Sequence, residues 1–148
     1  MVRLKDASKV KSRTRKVGVA VTAAASVAGL AFAATPATAV AAANISIEYG
    51  ASYYKGTATW SNRSVYVNGS FKATGCRRVY ALAFAGSTSL DIQNTSTWCD
   101  RSGPQDFPLK ANVVGGSDNI WVYMTDENQN YLKGQTCYRA GYCIDGLH

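Results

Sequence analysis

Arg78-Val79-Tyr80-Ala81-Leu82-Ala83-Phe84 is the stretch that decides the fold. In an extended chain Val79, Ala81 and Ala83 face one way, and Tyr80, Leu82 and Phe84 face the other. Both sets are apolar, the pattern of a strand covered on both faces in the middle of a packed sheet. The run is too short for a helix and ends at Gly86-Ser87, a turn pair. Ile120 to Thr125 repeats the pattern and reads as a second central strand.

Other segments lay themselves against these two. Ser64 to Ala73 alternates cleanly, with Val65, Val67, Phe71 and Ala73 on one face and Ser64, Asn68, Ser70, Lys72 and Tyr66 on the other. That is a strand with one face in a core and one in water, and Gly69 suggests a bend in it. Upstream, Ile45–Tyr49 and Thr57–Trp60 read as short strands. Downstream, Leu90 and Ile92 alternate with polar residues, and Asn94–Pro104 reads as a polar loop containing Trp98 and Cys99. Phe107, Leu109, Ala111 and Val113 form another inward set, with Pro108 indicating a sheet edge. Gly115–Asn119 is a turn, Asp126–Asn130 a hairpin loop, and Tyr131–Tyr138 the last strand.

Nothing after residue 40 shows a helical period. Short strands separated by turns over about a hundred residues predict an all-β fold, a small antiparallel β-sandwich. The layout resembles immunoglobulin-like sandwiches, but their Cys…Trp…Cys spacing is absent, so the resemblance carries no function.

Four cysteines allow three pairings. A hairpin turning at Ala85–Thr88 sets Cys76 opposite Thr97, two residues short of Cys99, which a curled loop brings within reach. The expected bridges are therefore Cys76–Cys99 and Cys137–Cys143, the second pinning the C-terminal tail. A redox or zinc site is disfavoured, because there is no Cys-x-x-Cys and the single histidine is the final residue, His148.

The net charge of +7 is misleading. Seven basic residues (Arg3, Lys5, Lys9, Lys11, Arg13, Arg15, Lys16) crowd the first sixteen positions, and after Ala39 nine basic residues face eight acidic ones. A nucleic-acid partner loses its support there. The basic start leads into an uncharged, alanine-rich run from Val17 to Ala34 and then the small-x-small site Ala37-Thr38-Ala39. That order predicts a secretory signal peptide over 1–39 and one secreted domain over 40–148. A membrane anchor is the competing reading of the same run. The basic start and alanine-rich core resemble secretion signals of high-GC Gram-positive bacteria.

Catalytic signatures are missing. A triad would need the terminal His148, and most of the acids sit in turns, where Asp is favoured locally. The expectation is a non-enzyme with no cofactor and no metal; the oxygen-rich loop Asp126–Asn130 lacks the spacing of an EF-hand. Aromatics are the better signal. Tyr66 stands on a polar face, Tyr53 and Tyr54 precede Lys55-Gly56, and Trp98 lies in the polar stretch. These four are the candidate binding residues, since exposed rings stack on sugars or anchor proteins. The leading expectation is a monomeric, secreted binding or surface-interaction protein for a saccharide, cell-envelope or secreted-protein ligand. An inhibitor of an extracellular enzyme, presenting Asn94–Pro104, is the alternative, and a small extracellular hydrolase using loop carboxylates the third.

Overall fold

The computed structural model describes residues 41–146. The signal-peptide reading of 1–39 lies outside the described residues. Within them the chain is all-β and antiparallel: β1 (Ala42–Tyr49), β2 (Ser52–Trp60), β3 (Ser64–Ala85), β4 (Thr88–Asn94), β5 (Trp98–Pro104), β6 (Phe107–Lys110), β7 (Asn119–Asp126), β8 (Tyr131–Tyr138) and β9 (Tyr142–Asp145). No helix among these residues is long and apolar enough to cross a membrane.

The nine strands form one continuous sheet, and β3, 22 residues long, is its spine. Along one edge β3 pairs first with β2, from Val65 to Lys72, and then with β7, from Arg77 to Phe84. Along the other it pairs in turn with β6, β5 and β4. The sheet folds over where β3 turns its corner, between Ala73 and Cys76. Gly75 at that corner has φ +68°, a left-handed conformation that glycine adopts without steric cost. Its N–H donates to Asp100 Oδ1 at 2.7 Å, and Asp100 is itself left-handed at φ +46°.

Folding at this corner makes two layers, one around β1, β2, β6 and the first half of β3, the other around β4, β7, β8, β9 and the second half. They close at the sides. Ser46 N–H of β1 donates to the Gln135 side chain of β8, and Lys110 N–H of β6 donates to Asp91 of β4. Residues of one parity on β3 face inward over the whole length: Val65, Val67, Phe71, Ala73, Val79, Ala81 and Ala83 are buried. They meet Ile45 and Ile47 of β1, Phe107 and Leu109 of β6, and Ile120, Val122 and Met124 of β7 in one core.

The alternation over Ser64–Ala73 is as expected. Gly69 marks a close approach. A β-carbon there would stand 2.5 Å from the Lys55 carbonyl oxygen and 2.9 Å from the Tyr54 ring, which lies over it.

Both disulfides are the expected ones, Cys76–Cys99 and Cys137–Cys143. In each, the two cysteines are direct cross-strand partners. The two residues by which Cys76 and Cys99 missed each other in a regular hairpin are absorbed in two places. One lies at the irregularity between Ala83 and Phe84, the other between the pairs Tyr80↔Asn94 and Arg77↔Trp98. There Thr95 is buried, its N–H donating to the Val79 carbonyl and its hydroxyl accepting from Val79 N–H.

Three expectations are corrected. Trp98–Pro104 is strand β5 rather than loop: the corner of β3 supplies a free edge that pairs it, despite its Ser, Gly and Pro content. The tail after Cys137 returns as β9, paired to β8. The third concerns the stretch Arg78–Phe84, whose outward set is not fully covered. Phe84 is buried, but Tyr80 and Leu82 are only half-buried, and Trp121 and Tyr123 beside them on β7 are the same.

Candidate ligand-binding surface

The four rings singled out from the sequence fall in different places. Tyr54 is entirely buried between the layers; its ring packs on Phe107 at 5.8 Å and its hydroxyl donates to the Gln105 carbonyl at 3.0 Å. Burial pushes its phenol far above the ordinary value. Trp98 is also a core residue, packed on Phe71 at 5.1 Å. Neither presents a ring face to ligand, which corrects the reading of both: Tyr54 alternates inward on β2 opposite Phe71, and the corner of β3 pairs Trp98 into β5 rather than leaving it in a loop. Tyr53 is half-buried, with Lys55 Nζ 5.5 Å from its ring. Tyr66 is exposed, as alternation requires, and its hydroxyl donates to Asp106 at 2.8 Å. That bond, with lesser help from burial, raises its pKa. Tyr53 and Tyr66 share an outer face but stand at opposite ends of the β2–β3 pairing, so they make no common platform.

Between them that outer face is polar. Asn44, Ser46, Thr57, Thr59, Asn68 and Ser70 occupy its outward positions.

The outer face of the other layer is different. Register sets Tyr80 of β3 opposite Tyr123 of β7, and Leu82 opposite Trp121. Trp121 in turn faces Thr136 of β8, and Tyr123 faces Gly134. The rings form a stack. Tyr80 and Tyr123 lie nearly parallel at 4.9 Å, Tyr123 and Trp121 stack at 4.1 Å, and Tyr131 tilts against both at 6.1 Å. Gly134 provides the room. A β-carbon there would collide with Tyr123 Cβ at 2.6 Å and approach Trp121 Nε1 to 3.0 Å. Burial is the main cause that raises the Tyr123 phenol, with Tyr80 second.

The stack is flanked by Tyr138 and Tyr142, stacked at 5.0 Å across β8 and β9. Ile92 on β4 and Ile144 on β9 lie outermost, 53% and 50% exposed. Aromatic and aliphatic side chains thus share the outer face of β3, β4, β7, β8 and β9. Beneath it, Trp121 Nε1 and Thr136 Oγ1 are buried and have no hydrogen-bond partner.

Alternation alone does not reveal these residues, because a strand apolar on both faces reads as covered on both. A usable signal is present: three strand runs that neighbour one another in the sheet carry aromatic outward residues, namely Tyr80, then Trp121 and Tyr123, then Tyr131 and Tyr138.

Most of the carboxylates are engaged in holding the fold. Asp91 accepts from Ile92 and Lys110 N–H, Asp106 from Tyr66 and Gly69, and Asp118 from Gly86 and Asn119. Asp145 accepts from Gln135 and pairs with Lys133, and Glu48 pairs with Lys55. Asp126 closes its own hairpin, accepting from the backbone N–H of Asn128 and Asn130 and from the Asn130 side chain. Those bonds, the Asn130 side chain foremost, hold its carboxyl below the usual value. Among the described residues no three His, Cys, Asp or Glu side chains cluster as a metal site.

No protein-family model matches the chain, and neither a curated protein nor a solved structure is detectably similar to it.

Proposed function

We propose that this is a secreted, non-enzymatic binding protein that engages a saccharide or other cell-envelope ligand through the outer face built on β3, β7, β8 and β9. The single observation that carries the reading is the partly exposed ring stack Tyr80–Tyr123–Trp121 with Tyr131 beside it. Rings pre-stacked on a sheet lose little conformational freedom on binding and offer both apolar contact and phenolic hydroxyls. Export is supported by the signal-like N-terminus and by two disulfides, which persist in oxidising compartments. The absence of turnover is supported by the carboxylates' engagement in turns and strand closures.

The flanking isoleucines favour a second reading, a protein partner, because aliphatic side chains add nothing to sugar stacking but suit the apolar centre of a protein interface. The inhibitor reading loses its presenting loop, since that segment is strand β5.

Tryptophan emission tests the proposal directly. Trp60 and Trp98 are core residues and Trp121 alone of the three is partly exposed, so a ligand on this face changes the Trp121 signal. The expected result is a saturable change with an envelope polysaccharide fraction that disappears in Trp121→Phe. A panel of polysaccharides with no effect, together with capture of a secreted protein lost in Ile144→Asp, establishes the protein-partner reading instead.

A further inference from the structure

Arg78 stands at the end of the ring stack. On β3 it precedes Tyr80 and Leu82 in the outward set, with buried Val79 between it and Tyr80. Register sets it opposite Thr125 of β7, the next outward position after Tyr123. Arg78 and Tyr80 are thus neighbours on one face, about 7 Å apart along the strand. Asn94 of β4 lies opposite Tyr80 and is exposed.

The guanidinium is held but not paired. Its Nε donates to Thr97 Oγ1 at 2.6 Å, which among the described residues is its one side-chain hydrogen bond. The two salt bridges there join Lys55 to Glu48 and Lys133 to Asp145. Arg77 lies over Tyr49 and Arg101 over Trp98, but Arg78 has no such ring. It is half-buried. A guanidinium partly withdrawn from water with no acid beside it carries a desolvation cost that an arriving anion offsets. Anchoring through Nε leaves both terminal nitrogens as donors, a fork that matches carboxylate or phosphate.

The surroundings favour an anion that is carried on a sugar. Among the described residues the outward positions of β3, β7, β8 and β9 on this face hold no Asp or Glu, so no acid competes for Arg78. On the outer face of the other layer, by contrast, Lys55 is already paired with Glu48. Beside Tyr80, the Asn94 amide donates to the Thr95 carbonyl and keeps its oxygen to accept from a hydroxyl. A neutral saccharide makes use of the rings and the amide but leaves the guanidinium unpaired.

We propose that the ligand of this face is an acidic saccharide, a sugar chain carrying carboxylate or phosphate groups, with Arg78 holding the oxyanion, Tyr80 packing against an adjoining sugar ring and Asn94 accepting from a hydroxyl. The proposal rests on the saccharide reading above and narrows it.

The test is a titration of the ¹⁵N-labelled protein at low salt with two pairs of probes: oligogalacturonate and its methyl ester, and a phosphomannan oligosaccharide and its dephosphorylated form. Saturable amide shifts over Arg78–Tyr80, Asn94–Thr97 and Trp121–Tyr123 are expected with at least one charged probe, and which of them binds tells carboxylate from phosphate. Its uncharged counterpart should bind about tenfold more weakly, the loss of one charge-assisted contact. That comparison needs no variant. Arg78→Gln should weaken the charged probe about tenfold, and Arg78→Lys, which keeps the charge and loses the fork, should weaken it less. Lys72→Gln, at an exposed position on the other layer, should leave affinity unchanged. Charged and uncharged forms binding this face alike, or Lys72→Gln weakening the charged probe as much as Arg78→Gln does, overturns this proposal and leaves the saccharide reading standing. An absence of shifts at this face with all four probes overturns both.

Discussion

Trp121 closes over Gly134: a β-carbon on Gly134 would stand 3.0 Å from the indole nitrogen, 2.6 Å from Tyr123 Cβ and 2.8 Å from the Val122 carbonyl oxygen. Two of those atoms belong to the β7 backbone or sit directly on it, so rotation of a side chain does not relieve the clash. Gly134→Ala should therefore cost about 1–3 kcal/mol, as overpacking does, and should alter tryptophan emission by displacing the indole. Urea denaturation followed by fluorescence measures both. Unchanged stability would mean that β7 and β8 do not approach this closely.

Trp98 and Trp121 should separate sharply on truncation. Trp98→Ala removes a core ring and should cost about 3–5 kcal/mol. Trp121→Ala, with its ring partly in water, should cost on the order of 1–2 kcal/mol, mostly the stack with Tyr123. If the two variants lose equal stability, the outer face is core and the binding surface lies elsewhere.

The tyrosines offer a similar contrast. Tyr54→Phe keeps the ring over Gly69 but orphans the Gln105 carbonyl, and should cost about 1 kcal/mol. Tyr66→Phe removes a solvent-exposed bond to Asp106 and should leave the denaturation midpoint close to that of the parent protein.

These contrasts show how far the sequence reaches. Alternation placed Val65, Val67, Phe71 and Ala73 inside and Tyr66 outside, because a strand with one wet face announces its orientation. The cysteine pairing was legible because a hairpin turn fixes register to within a bulge or two. What stayed hidden was the corner at Ala73–Cys76. A left-handed glycine beside a cysteine does not reveal that the same strand continues beyond it, and without the corner Trp98 and β5 look like loop residues. The ring stack stayed hidden for another reason: a strand covered on both faces and one whose outer face carries aromatic side chains share the same pattern.

The bridges close loops of unequal length, with separations of 23 and 6 residues. If the main effect is restriction of the unfolded chain, removing Cys76–Cys99 as a double serine variant should cost about 3 kcal/mol, and removing Cys137–Cys143 about 2 kcal/mol. Denaturation midpoints of the two variants check the order. The reverse order would show that Cys137–Cys143 acts mainly by holding β9 to the fold.

Asp126 and Asp145 are held below the ordinary aspartate value of 3.8, Asp126 first by the Asn130 side chain and Asp145 first by Gln135. A carboxyl whose folded pKa is depressed contributes stability above its unfolded pKa and loses it as pH falls through the folded value. Melting temperature should accordingly decline as pH drops below about 4, and Asp126→Asn should flatten part of that decline. A variant with the same acid limb as the parent protein would remove the hairpin carboxylate from the account.

The continuity of β3 has a consequence in time. Its pairing partners arrive from both sides of it in the chain, β2 before and β7 well after, so no N-terminal fragment can complete the sheet. Until β7 emerges, the second half of β3 presents an apolar strand with one edge open, the kind of surface on which neighbouring chains aggregate. Its partner on that edge lies more than thirty residues downstream, and closing so distant a pairing makes for slow folding. The protein is thus built to fold late and all at once, only when the strands that follow β3 are in place.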